Sequence, residues 1–568
     1  VSILFALVLR IGRRFWPAVF SAALWAVHPL GTEAVSNIVG RADLLAAGGV
    51  LGALYAYVRA SASTGRERAC WIAGVAAAST IAAFSKESGV TVVGVIVLYD
   101  VLWPNRRTIA SRLLSWSAAA VPVALYLVQR NVVLSAVASL PVPFVDNPIA
   151  GASFWSARLT ALTVAARYLG LLAWPARLSA DYSFPQIPIA SGSAGDWIAY
   201  ATMAGLLLLA VWLFRVQRAG FFCIAAAAVT FLPVSNLLFS TGTIMAERLA
   251  YLPSAFVLPC VVIGVYALEQ RTRLRVLAPA VLGLMIAALG IRTFARNQVW
   301  HDELTLWTAT AQASPRSFKS HASLAEALYN ADPARNNFAR VIAEKERSLA
   351  LLDGVPNPAA LSKPFREAAT YYLEYGDWLH THPSTPDAVI AAYRRSAALS
   401  ERYLALLDLE PASSTDRTEA ELLLSTARER LHEGDKAAEA AGRALAGDPF
   451  NPMTYRTSAA ALLSAQHADD AAVALMTGFM LTGNTELRGA LIDLYRGGLD
   501  TRGCAVTSGP SGAVLNVSCA IVRRHLCAAT IAASRTQRQA GRPDLAEQVE
   551  QSTRDSCANP TEATPAAR

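Results

Sequence analysis

The chain has 568 residues, 54% of them hydrophobic and only 16% charged, against about a quarter charged in an ordinary soluble domain. Its formal charge of +8 invites a nucleic-acid partner. The basic residues, however, sit at the ends of apolar runs, where they orient membrane helices by the positive-inside rule, so a nucleic-acid partner and a wholly soluble chain are both excluded.

Apolar runs recur as far as Arg292, and the expected spans are 1–9, 15–28, 42–58, 69–84, 88–103, 112–130, 156–174, 197–214, 219–236, 244–268 and 274–292. The first run, VSILFALVL, is too short to cross a bilayer alone, and no signal-peptide pattern precedes it. The domain at 1–292 is therefore expected to be truncated at its N-terminus. Pro17, Pro122 and Pro259 lie inside spans, where neighbouring helices can satisfy the freed carbonyls. The clusters Arg10/Arg13/Arg14, Arg59/Arg66/Arg68, Arg106/Arg107/Arg112, Arg215/Arg218 and Arg271/Arg273/Arg275 mark the cytoplasmic ends. Segment 156–174 carries Arg158 and Arg167 and would break the parity as a span, so it is expected to be interfacial or re-entrant. The loops containing His28, Lys86, Asp181 and Glu247, with everything after Arg292, then fall outside the cytoplasm.

Beyond residue 293 charged residues become frequent and the pattern turns amphipathic. Residues 293–413 are expected to connect, with a degenerate first repeat. Residues 414–500 hold two helix pairs about 34 residues apart, the tetratricopeptide period. Residues 501–568 form a helical tail, with Gly, Ser, Thr and Pro marking a loop at its start. Its Cys504, Cys519, Cys527 and Cys557 have no CxxC spacing and are expected to form disulfides in an oxidising compartment; four cysteines leave three pairings open.

The external loops concentrate ionisable residues that a membrane anchor does not require. Carboxylates at Glu33, Asp43 and Asp181 are the candidate bases. Arg41, Lys86 and Arg248 are candidate phosphate contacts. His28, Glu87, Tyr182, Glu247 and Tyr251 complete the candidate substrate-binding set. Lys86 beside Glu87 and Glu247 beside Arg248 also have a simpler reading as local pairs. No cluster of metal-ligand type stands out, so no metal or other cofactor is expected, while a divalent ion is not readable from sequence.

The segments HPLGTEAVSNIVGRADLLA, FSKESGVTVVGVIVLYD, RYLGLLAWPARLSADYSFPQIP, LPVSNLLFSTGTIMAERLAYLPS and RTFARNQVWHDELTLW stand in this order before helical repeats. Together they resemble the transmembrane and tetratricopeptide repeat-containing proteins. The resemblance covers roughly residues 15–330 and implies an all-α chain: a polytopic bundle of the C-type glycosyltransferase fold, then soluble helical repeats. It also implies inverting transfer of a mannose-like hexose from a polyprenyl-phosphate carrier to Ser or Thr of exported proteins. The donor and membrane lipids would be partners, with the repeats recruiting polypeptide. The protein would lie in the inner or plasma membrane with its C-terminal half extracytoplasmic. One departure matters: enzymes of this fold commonly keep a catalytic carboxylate in the first external loop, and this sequence offers no counterpart, which implies a chain inactive as it stands. The alternative is a non-catalytic scaffold, membrane-anchored and binding partners through its repeats.

Overall fold

The computed structural model describes residues 1–104, 108–136, 142–274, 276–353, 355, 362–409 and 414–496, with 505–506, 515–516, 531, 534–535, 537–539 and 542–557. Apart from a two-residue bridge pairing Ala505 with Asn516 and Val506 with Leu515, their regular structure is helical, as the all-α expectation requires. Contacts divide the chain into two compact units, Val1–Ala331 with Ala350–Val355, and Asp332–Leu349 with Pro356–Arg568. Hydropathy thus changes near residue 293, and packing changes near 331.

The first unit contains α1 (Ser2–Gly12), α2 (Phe15–Val27), α3 (Thr32–Ser36), α4 (Arg41–Ala62), α5 (Gly65–Ser85), α6 (Val92–Leu102), α7 (Ile109–Ser135), α8 (Phe154–Ala173), α9 (Ala194–Val216), α10 (Arg218–Phe231), α11 (Tyr251–Thr272), α12 (Leu277–Val299), α13 (Glu303–Ala313) and α14 (Phe318–Ala331). Segments Ile38–Ala62, Gly65–Ser85, Ile109–Ser135, Ala194–Val216, Glu247–Thr272 and Leu277–Val299 are helices long and apolar enough to cross a membrane. Small residues let them approach. A Cβ on Gly49 of α4 would stand 2.7 Å from the Ala78 carbonyl oxygen of α5, and Ala46, Ala53 and Ala56 are buried along the same helix. Such seams replace the hydrophobic drive that lipid removes. Helix α9 instead turns Leu207, Leu208, Trp212 and Phe214 outward, a face suited to lipid.

Helix α8 packs differently. Its buried stripe Ala157, Ala161, Val164 and Tyr168 joins Leu30, Ile149, Leu178, Ile187, Ile244, Met245 and Ala250 in one cluster. Those partners lie on connecting segments, so α8 lies along a layer of loops over the whole length of its stripe, with Phe154, Trp155 and Trp174 exposed at its ends. Aromatic residues so placed suit a membrane–water interface.

The second unit contains α15 (Phe338–Ala350), α16 (Ser362–Thr381), α17 (Pro386–Leu407), α18 (Ser414–Arg430), α19 (Gly434–Gly447), α20 (Pro452–Ser464), α21 (Ala468–Thr482), α22 (Thr485–Arg496) and α23 (Pro543–Cys557). From α16 to α22 each helix packs on the next, and α16, α18 and α20 also touch in succession, the pattern of stacked helix hairpins. Gly434 opens α19, where a Cβ would stand 2.4 Å from the Ala465 backbone nitrogen, so only glycine allows the turn after α20 to press this closely.

Candidate functional site

The loop layer of the first unit gathers most of the charged residues expected there. Glu33 lies in α3 and is 1% exposed. Both its oxygens are engaged: Oε2 accepts from the Arg248 backbone N–H at 2.9 Å, and Oε1 pairs with the Arg248 guanidinium. Burial pushes Glu33 above the ordinary carboxylate range, with Arg248 drawing it back and Asp43 opposing as a like charge. Asp43, in the first turn of α4, is bound through both oxygens by Lys86 Nζ at 2.5 and 2.6 Å. Arg248 also lies within the field of Asp43. Two carboxylates and two cations therefore form one neutral brace between four chain segments, holding the expected phosphate contacts Lys86 and Arg248 in ion pairs. Neither adjacent pair proposed from sequence is formed: Lys86 takes Asp43, while Glu87 meets Arg130 at 3.4 Å.

Glu247 is fully buried and turns the opposite way from Arg248. Its Oε1 accepts from Tyr182 Oη at 2.8 Å and from the Ser179 backbone N–H at 2.5 Å. Arg296 of α12, 2% exposed, stands 3.6 Å from Oε2. Burial first, and then the Glu247 charge, push the Tyr182 hydroxyl well above its ordinary value, so this tyrosine stays a donor. Arg296 did not stand out in the sequence. Its signal is the spacing to Arg292, one helical turn earlier on α12, which puts both on one face.

Asp181 lies in the irregular run 179–183. Its Oδ2 accepts from Ser183 N–H at 3.0 Å, from Ser183 Oγ at 2.5 Å and from Ser317 Oγ. Ser179, on the same run, takes a hydrogen bond from Ser314 Oγ at 2.7 Å. Among the described residues nothing bonds to Oδ1, and the carboxylate is half-buried. Ser314 and Ser317 come from the turn between α13 and α14, more than 130 positions away, and nothing in the sequence singles them out.

The remaining expected residues are placed otherwise. His28 is buried, with Leu30 N–H donating to Nδ1 at 3.2 Å and Nε2 3.0 Å from the Leu172 carbonyl. A carbonyl only accepts, so Nε2 carries the proton and the ring is neutral. Burial lowers the His28 pKa, and the bond to Leu172 partly offsets this. Tyr251 packs against Trp25 with ring centroids 5.0 Å apart. Arg41 is exposed and has no bonding partner among the described residues. Cys504, Cys519 and Cys527 lie outside the described residues, as does the side chain of Cys557, as do the expected disulfides with them.

No family model matches the chain. Protein O-mannosyl-transferase TMTC3 of Mus musculus is 28% identical over 358 residues, 58% of this chain and 39% of that protein. Protein O-mannosyl-transferase TMTC4 of the same species is 28% identical over 350 residues, 55% of this chain and 47% of its own length. A protein O-mannosyl-transferase of Caenorhabditis elegans is 29% identical over 322 residues, 55% of this chain and 44% of its own. Over somewhat more than half its length the chain is thus similar to named protein O-mannosyl-transferases. The match spans less than half the length of each of these relatives, and the resemblance drawn from ordered loop motifs agrees with it.

Proposed function

We propose that the protein is a membrane glycosyltransferase that moves a mannose-like hexose from a polyprenyl-phosphate carrier to Ser or Thr of a polypeptide, on the extracytoplasmic face. The names of its relatives support the transferase class. The observation that carries the site is Asp181: three donors fix Oδ2 and leave Oδ1 without a partner among the described residues. A general base has to be oriented yet open on the side of the proton it takes. Glu33 and Asp43, with both oxygens occupied, act as structural charges instead.

In the proposed step the acceptor hydroxyl oxygen attacks the anomeric carbon from the face opposite the phosphate. The bond from that carbon to the phosphate oxygen breaks, and the lipid phosphate leaves with the electron pair. The hydroxyl proton passes to Asp181. The repeats of the second unit recruit the polypeptide and take no part in the chemistry.

The test is transfer of labelled mannose from a prenyl-phosphate donor to a Ser/Thr peptide by the purified, membrane-inserted full chain. Asp181→Asn should lower the rate about 10²–10⁴-fold, the range for loss of a general base, with unchanged melting behaviour. The second reading, a scaffold, draws on the closed Glu33–Arg248 and Asp43–Lys86 pairs. A folded chain that binds polypeptide through its repeats, but neither transfers nor hydrolyses donor, would establish it.

A further inference from the structure

A second charged region of the first unit has no place in the step above. A cleft of about 360 Å³ is lined by Arg167, Arg177 and Arg316, with Gln186, Pro188 and Gln312, and no carboxylate is in its wall. Arg167 comes from α8, Arg177 from the loop after it, and Arg316 from the turn between α13 and α14. Arg167 and Arg177 make no hydrogen bond or ion pair among the described residues, and all three are exposed.

The cleft is held in shape by Arg292 behind it and by Arg316 in its wall. Arg292 of α12 donates to the Pro175 and Ala176 carbonyls at 3.2 and 2.9 Å, fixing the backbone just before Arg177. Arg316 donates to the Pro185 carbonyl at 2.8 Å, and its backbone N–H to Gln186 Oε1 at 3.1 Å. The segment that carries Arg177 is thus pinned at both ends while its guanidinium stays free. Arg316 and Arg167 repel each other. The acidic group in the field of Arg167 is Asp196, whose Oδ2 is already taken by the Ser191, Gly192 and Ser193 N–H groups and the Ser193 hydroxyl. Like charges gathered without an internal counter-charge are stabilised by an anion from outside. A phosphate, with its oxygens spread tetrahedrally, can meet several guanidinium forks from different directions. Trp174, 79% exposed, stands three residues before Arg177, and an exposed tryptophan suits the headgroup level of a bilayer.

We propose that this cleft binds a lipid-borne phosphate, contributed by a prenyl phosphate or by an anionic phospholipid headgroup. In the first case only the naming of that lipid as the sugar donor rests on the transferase reading; the binding itself is independent of it in both cases.

The test is a thermal-shift titration of the full chain in neutral detergent. The probes are a short-chain prenyl monophosphate, phosphatidylglycerol, the corresponding prenyl alcohol and inorganic phosphate. Saturable stabilisation is expected from one or both phosphate-bearing lipids, the better of the two identifying the source, and none from the alcohol. In the Arg167→Gln/Arg177→Gln variant the apparent affinity should fall about tenfold or more, the scale of losing charge-assisted hydrogen bonds. Arg177→Gln alone, at an exposed side chain with no bond to lose, carries the same comparison if the double variant does not fold, and Arg177→Lys should retain part of the affinity. Unchanged affinity in these variants would overturn the proposal, as would inorganic phosphate reproducing the whole effect. Binding is read here without turnover. A chain that takes up prenyl phosphate but transfers no sugar would refute the transferase reading and leave this one standing.

Discussion

In the brace formed by Glu33, Asp43, Lys86 and Arg248, each cation has a carboxylate against it, whereas at the cleft Arg167 and Arg177 have none among the described residues. The residue types are alike and both regions belong to the loop layer of one unit. They differ in where the counter-charge comes from. A charge removed from water needs a partner or a wet path. Lysine and arginine that meet Asp43 and Glu33 have spent their charge inside the protein and serve to hold segments together. Those left unpaired at the surface keep their charge for a ligand. The contrast can be broken one side at a time.

The largest effect is expected at Arg248. Arg248→Met leaves Glu33, 1% exposed, without its cation, and breaking a buried pair from one side costs about 3–5 kcal/mol. Glu33→Gln should cost less, because the Arg248 side chain is 27% exposed and can turn toward water. Combining the two should recover part of the loss, as coupled partners do. Thermal melting of the four proteins in detergent checks this. Equal and additive losses would mean that the pair is not a unit. Lys86→Met comes next, at about 1–3 kcal/mol, the cost of leaving the two Asp43 oxygens unsatisfied, with Asp43 8% exposed.

A smaller, pH-dependent effect is expected at His28. Its folded pKa lies below the ordinary 6.5, so the unfolded chain takes up the proton first as pH falls. The stability it contributes is fully present above pH 6.5 and is lost as pH drops through the lowered value. Protonation would also set an Nδ1–H against the Leu30 N–H that now donates to it. Melting midpoints from pH 7.5 down to 5 should fall more steeply for the wild type than for His28→Gln. Parallel slopes would show that another group titrates there.

Much of the fold can be read in the sequence because lipid imposes one requirement on every span, a continuous apolar run. Helices occur at each expected span, with α7 and α11 running through Pro122 and Pro259. The packing boundary near 331 is hidden from hydropathy, because α13 and α14 are polar enough to read as soluble while Ser314 and Ser317 bind the 179–183 run. At the site, the loop motifs contain the right residues but not their partners. Glu247 and Arg248 are adjacent, and one backbone step sends them to Tyr182 and Glu33 respectively. Such choices depend on contacts across 65 and 215 positions, for which local spacing carries no signal. The same limit hid Ser317 behind Asp181 and left Arg177 and Arg316 unnoticed, since a missing counter-charge exists only in three dimensions.

The smallest effect is expected at Arg177, and it separates the two regions most sharply. An exposed side chain without a bond in the folded protein has nothing to lose on truncation, and surface substitutions of this kind stay within about 0.5 kcal/mol. Removing it also relieves repulsion if Arg167 and Arg316 share the cleft. Arg177→Gln should therefore melt at or slightly above the wild-type temperature in neutral detergent without added lipid, while Lys86→Met melts well below. Lipid phosphate should then reverse the order at Arg177, stabilising the wild type over the variant. If Arg177→Gln instead lost as much stability as Lys86→Met with no lipid present, the arginine would have an internal counter-charge after all. The cleft would then be a second brace.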